Sequence, residues 1–228
     1  MTEDQNEPDR GTSAAPLRVV FYLPEGMADW EVGYLMSELR QREVTERPAE
    51  IVVATATGGA VTSMGGLRVT PDGPLETLTD EPFDALVLCG GASWFDDDAN
   101  KAALGLAAQR KREGRLVAGI CGAVDAMGGA GLLDDVDHTG NELGQLEKWP
   151  GYHGRDRFVS EPHAVRARTP AGGTIVTAGS WAPTDFAAAV MEELGALSHE
   201  RSELWLRFWR DRDVSAIYGL FGVDAPTS

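Results

Sequence analysis

The sequence predicts an α/β three-layer sandwich, a mostly parallel sheet with helices on both faces, and three observations carry that reading. Short apolar, β-rich runs recur along the chain, segments with helical spacing lie between them, and three of the runs end in Glu-Gly, Cys-Gly-Gly or Cys-Gly. With 228 residues, 43% of them hydrophobic, the chain can bury one sizeable core, so a single large domain with a single site is expected.

The elements follow in order. Residues 1–16 are charged, poor in apolar side chains and close on Pro16, which reads as a disordered acidic arm. Residues 17–23 (LRVVFYL) make the first strand. Residues 30–43 place Trp30, Tyr34, Leu35 and Leu39 at helical spacing, and 51–57 (IVVATAT) make a second buried strand, which completes a β-α-β unit. Gly65-Gly66 interrupts 61–69 as a hairpin-like turn. Residues 85–88 (ALVL) form a third continuous apolar strand ending in Cys89-Gly90-Gly91. A helix over 101–113 closes at Gly114, and 116–120 (LVAGI) is a fourth strand that runs straight into Cys121. A helix from 123 to about 129, a strand over 172–178 (GGTIVTA) and a helix from about 184 to 197 continue the alternation, which argues for parallel strands. Beyond this domain of residues 17–197, residues 198–228 form an amphipathic helix and tail. Leu204, Trp205, Phe208 and Trp209 recur there with charges between them, a face that packs on the domain or on a partner.

Composition narrows the functional classes. Thirty-six acidic residues against twenty basic give a formal charge of −16, which repels nucleic acid and anionic membrane surfaces. No stretch approaches the roughly 18 apolar residues of a membrane span. Two cysteines cannot make a disulfide framework, and the polar start of the chain is unlike a secretory leader, so a reducing, cytoplasmic setting is expected. His138, His153, His163 and His199 lack paired spacing and there is no Cys-x-x-Cys, so no metal site is expected. The glycine-rich stretches lack the residues of a phosphate loop or a dinucleotide fingerprint, so no cofactor is expected either. The partner that remains is a small-molecule substrate.

In such sheets ligands gather beyond the carboxyl ends of the strands. Cys121 stands there, in Ala118-Gly-Ile-Cys-Gly-Ala-Val124, between two glycines at a strand-to-helix turn. Two readings are open from the local pattern: a small packed thiol, or a nucleophile raised on an elbow. On the second, the helix N-terminus lowers the thiol pKa, and the amide of Gly122 points at an oxyanion formed on attack. A second donor is available from Gly90-Gly91, whose missing side chains leave the amides accessible. Cys89, inside ALVLC, reads as a packed residue. The end of the first strand offers three carboxyls. Glu25 is a candidate, Asp29 reads as a helix cap or dipole partner, and Glu31 lies beside Trp30 and Val32, where burial would keep it protonated.

Taken together the chain resembles the ThiJ/PfpI superfamily, which includes the Parkinson-disease deglycase and has a flavodoxin-like, class I glutamine amidotransferase-like fold. The resemblance covers about residues 17 to 197. It rests on GMADWE (26–31), SMGGLRVTPD (63–72), LVLCGG (86–91), AGICGA (118–123), GLLDDVDHTGN (131–141) and TIVTAGSWAPTDFA (174–187). It implies Cys121 as the reactive cysteine, Glu31 as its carboxyl partner, Gly91 and Gly122 as oxyanion amides, and a homodimer. Two departures stand out. Relatives have Pro where this chain has Cys89, and the histidine that many relatives carry after the elbow helix falls on Asn141. A Cys-His-acid triad is therefore not expected. Gly90, Asn141 and His138, three positions before it, are auxiliary candidates.

Three functions are compatible with these residues. The first is an enzyme in which Cys121 adds to a small carbonyl, amide or isonitrile carbon while Glu31 moves the proton, as in the family's hydrolase, hydratase and glyoxalase or deglycase activities. The second is a redox or stress sensor acting through oxidation of Cys121. The third is a noncatalytic chaperone or binding module.

Overall fold

The computed structural model describes residues 15–95 and 98–224. Its elements in order are β1 (Leu17–Tyr22), α1 (Asp29–Gln41), β2 (Ala49–Thr55), β3 (Val61–Thr62), β4 (Arg68–Val69), β5 (Gly73–Pro74), α2 (Leu75–Leu78), β6 (Ala85–Leu88), α3 (Lys101–Arg112), β7 (Leu116–Ile120), α4 (Gly122–Gly129), α5 (Leu143–Leu146), β8 (Val165–Arg168), β9 (Thr174–Ala178), α6 (Pro183–Glu193), α7 (His199–Trp209) and α8 (Ala216–Phe221). The main sheet has the order β5-β2-β1-β6-β7-β9-β8. All its pairs are parallel except β8–β9 at one edge. The hairpin β3–β4 forms a separate antiparallel pair, with Val61 opposite Val69.

The alternation of side chains along each strand builds the three layers. In β1, Leu17, Val19 and Phe21 join one core, with Val32, Leu35 and Leu39 of α1 and Phe186 and Val190 of α6. Val20 and Tyr22 point the other way, into a second core with Ala103 and Ala107 of α3 and Met127 of α4. Because both faces are covered, the central strands read as unbroken apolar runs rather than alternating ones. The chain leaves β1 toward β2 on one side and returns through β6, β7 and β9 on the other. The order therefore reverses between β1 and β6, and a crevice forms beyond their carboxyl ends.

Several boundaries shift against expectation. The helix expected to 197 stops at Glu193, and the strand expected from 172 begins at Thr174. The edge strands β5 and β8 and the short helices α2, α5 and α8 carry no clear sequence period, being brief or half-exposed. The arm expected over residues 1–16 lies almost wholly outside the described residues. The amphipathic tail helix packs on the body. Trp205 of α7 is fully buried, donates its indole N–H to Glu38 Oε1 at 2.9 Å, and meets Tyr34 edge to face. No helix among the described residues is long and apolar enough to cross a membrane.

Candidate active site

Four strand ends meet around Cys121, which itself follows β7. Glu31 comes from the first turn of α1 after β1, Gly90 and Gly91 follow β6, and Ser180 follows β9. Cys121 has φ 57° and ψ −127°, a left-handed conformation that a side-chain-bearing residue occupies only at a cost of about 1–3 kcal/mol. The neighbouring structure enforces it. The Cys121 N–H is bound to Ala178 O of β9 at 2.9 Å, and its carbonyl accepts the N–H of Val124 at 2.9 Å as α4 begins. The chain must leave the sheet and enter a helix within one residue, as in a nucleophile elbow.

Gly90 brings thiol and carboxyl together. Its N–H donates to Glu31 Oε2 at 2.8 Å. A Cβ on Gly90 would overlap that oxygen and lie 2.8 Å from Cys121 Cβ, so only glycine permits the approach. Glu31 is fully buried. Burial pushes its carboxyl up to about 7, against the lowering pull of the Cys121 thiol and the Gly90 amide.

For Cys121 the structure corrects an expectation. Its place before a helix would lower the thiol pKa, but burial and the Glu31 carboxyl raise it, and these outweigh the hydrogen bonds from Asn141 and from the Gly122 amide. A carboxyl near neutrality beside such a thiol has the proton affinity of a general base.

Asn141 hydrogen-bonds the thiol through its side chain. It donates from Nδ2 to Sγ at 3.3 Å, while its Oδ1 accepts the N–H of Ser180 at 2.9 Å. The Ser180 carbonyl in turn accepts the indole N–H of Trp30 at 3.1 Å, so the residue beside Glu31 is tied to the far side of the site. The bond from Thr139 N–H to Thr177 Oγ1 at 2.9 Å anchors the loop that carries Asn141 to β9. Sequence alone gives Ser180 no place in the site and Trp30 only that of a neighbour of Glu31. Ser180 sits just past a strand end, a positional signal that could have found it.

The remaining candidates are placed as follows. Gly122 turns its amide toward the sulfur. The Gly91 N–H makes no hydrogen bond among the described residues and lies 3.6 Å from where a Cβ on Gly122 would stand. His138 is fully buried and commits both ring nitrogens elsewhere, Nδ1 to Val136 O at 2.9 Å and Nε2 to Tyr152 Oη at 2.8 Å. It has no free nitrogen to offer the thiol, and burial lowers its pKa. Cys89 is fully buried with its sulfur 3.6 Å from Ala28 O, and burial followed by the Glu31 charge pushes its thiol well up, so it packs. Asp29 does not cap its own helix, whose N-cap is Ala28. It accepts instead from the Ser63 hydroxyl and from Gly65 N–H at 2.7 Å, bonds that pin the β3–β4 hairpin and hold its carboxyl below the usual range. Glu25 supports the same hairpin by accepting Thr62 N–H at 3.2 Å. No cluster of metal-ligating side chains occurs among the described residues.

A doubly covered parallel sheet whose order reverses between β1 and β6, with a strand-to-helix cysteine at the end of the next strand, β7, defines a flavodoxin-like α/β protein. The sequence model of the DJ-1/PfpI family matches residues 17–193, and the chain belongs to that family. Among solved structures, a DJ-1 superfamily protein from Agrobacterium tumefaciens is 38% identical with a TM-score of 0.75, covering 86% of this chain and 99% of that one. A relative in Bacillus subtilis named as the uncharacterized protease YoaZ is 29% identical over 194 residues, 83% of this chain and 89% of its own. A deglycase of Pyrococcus horikoshii is 30% identical over 117 residues, 51% of this chain and 68% of its own.

Proposed function

We propose that this protein is a cysteine-dependent enzyme acting on a small electrophile, a carbonyl, amide or isonitrile, with Cys121 as nucleophile and Glu31 as acid and base. Relatives named as deglycases and proteases support cysteine-dependent chemistry at the level of the family. The observation that carries the finer reading is the convergence, across Gly90, of a strained elbow thiol and a buried carboxyl pushed up to about 7. Glu31 takes the thiol proton as the sulfur attacks the electrophilic carbon. The developing oxyanion faces the amides of Gly91 and Gly122, and Glu31 returns the proton to it. Asn141 holds the sulfur through its amide N–H. Its amide in the place of a histidine disfavours glutaminase-type chemistry, which calls on an imidazole base.

The test is a screen of the purified protein against methylglyoxal, glutamine and simple isonitriles. Turnover that disappears in Cys121→Ala and falls at least about 100-fold in Glu31→Gln is the expected result. Full turnover by Cys121→Ala on every active substrate would end the reading.

A second reading, reversible oxidation of Cys121, is favoured by the donors that face the sulfur, since the Gly122 and Asn141 amides would also hold an oxygen bound to it. Mass spectrometry after mild peroxide separates the two. Oxygen on Cys121 before any methionine supports sensing, and unselective oxidation removes it.

A further inference from the structure

A cavity of about 550 Å³ opens on the loop that carries Asn141, a volume within the range of small-ligand sites. Asn141 forms part of its wall and also donates to Cys121 Sγ, so cavity and sulfur meet at one side chain. Leu143, Phe158 and Pro162 give it an apolar flank, and the half-exposed indole of Trp181 stands at its edge. Two solvent-exposed acidic side chains, Glu142 and Glu161, complete the lining at its rim, and no lysine, arginine or histidine lies among the wall residues. Neither carboxylate enters an ion pair among the described residues.

Uncompensated carboxylates beside an aromatic face suit an organic cation, which gains Coulomb attraction from the acids and cation–π contact from the ring. The same wall repels anions, and the net charge of −16 reinforces it at long range. Resting on the thiol chemistry above, we propose that this cavity selects electrophiles that carry a cationic group, an ammonium or guanidinium, and disfavours anionic ones. The cation takes no part in bond making. The S–C bond forms at the carbonyl carbon, the C=O π pair moves to oxygen, and the thiol proton passes through Glu31 to that oxygen. Glu142 and Glu161 determine which molecule is brought to the sulfur.

The test uses two probes that need no turnover, methanethiosulfonates ending in a trimethylammonium or in a sulfonate group. Each transfers its thioalkyl group to Cys121 and releases a sulfinate, and mass spectrometry follows the rate. At low salt the ammonium reagent should label Cys121 about 10-fold faster than the sulfonate reagent or more. That ratio should fall several-fold in E142Q/E161Q. It should hold in E200Q/E203Q, which removes the same charge from equally exposed positions on α7 that do not line the cavity. Equal ratios in the two double variants would overturn the proposal, because net charge alone would then explain the preference. A second arm compares kcat/KM for phenylglyoxals carrying a trimethylammonium or a carboxylate group. Absence of turnover there, with the labelling ratios as expected, would count against the proposed enzyme while leaving the cation selectivity of the cavity standing.

Discussion

Gly90 donates its amide hydrogen to Glu31 at 2.8 Å and leaves no room for a side chain between that carboxylate and Cys121. One glycine thus sets both the orientation of the carboxyl and its nearness to the sulfur. Gly90→Ala should abolish activity and cost about 1–3 kcal/mol of stability through overpacking. Denaturant melting together with alkylation of Cys121 checks it. An unchanged alkylation rate would show that the approach does not depend on this glycine.

The strain at Cys121 should be recoverable as stability. Cys121→Ala keeps a Cβ at φ 57° and so keeps the cost, whereas Cys121→Gly removes it. Cys121→Gly should melt as the more stable of the two by about 1 kcal/mol, the strain released less the entropy glycine loses on folding. Both variants should be inactive.

Thiol reactivity should rise with pH through about 7, as Glu31 loses its proton and becomes able to take the one from Cys121. Glu31→Gln should lose that inflection while keeping the fold. In Asn141→Ala the sulfur loses a donor that lowers its pKa, and alkylation at pH 7 should slow by about 5- to 10-fold. Rates with a neutral alkylating reagent across pH 5–10, an assay range of about five units, read both variants at once.

A buried carboxyl one turn into α4 makes a separate prediction. Asp125 is fully buried, neither carboxyl oxygen has a hydrogen-bond partner among the described residues, and burial pushes its pKa up to about 7. The folded pKa lies above the unfolded value of 3.8. Its contribution is therefore fully present below the unfolded pKa and is lost as pH rises through about 7. Asp125→Asn should match the parent at pH 4 and exceed it by about 2–4 kcal/mol at pH 8. Equal melting of the two proteins at pH 8 would refute the buried, neutral carboxyl.

The C-terminal helix belongs to the domain rather than to a detachable tail. Trp205 fills the core formed with α1 and α6, and its indole N–H is bound to Glu38. Trp205→Ala should cost about 3–5 kcal/mol, read as a lowered melting midpoint. A loss below about 1 kcal/mol would mean that the helix is dispensable to the fold.

The central strands were legible because burial on both faces writes itself as continuous apolar runs, seen at ALVL and LVAGI. The turn at Cys121 was legible for a different reason, since glycines on either side of a residue that ends one apolar strand and precedes a helix give the chain room to turn sharply. Edge strands such as β8, exposed at alternate positions, left no such trace.

The sequence by itself determined the layers of the sandwich and the position of Cys121 beyond a strand, because those follow from side-chain periodicity and local sterics. Only the tertiary structure decided the proton chemistry. Whether Glu31 meets the thiol, whether His138 is free or locked to Tyr152, and whether burial outweighs the helix terminus at the sulfur all depend on groups from different strands. Desolvation and hydrogen bonding act through space, and packing alone sets those distances.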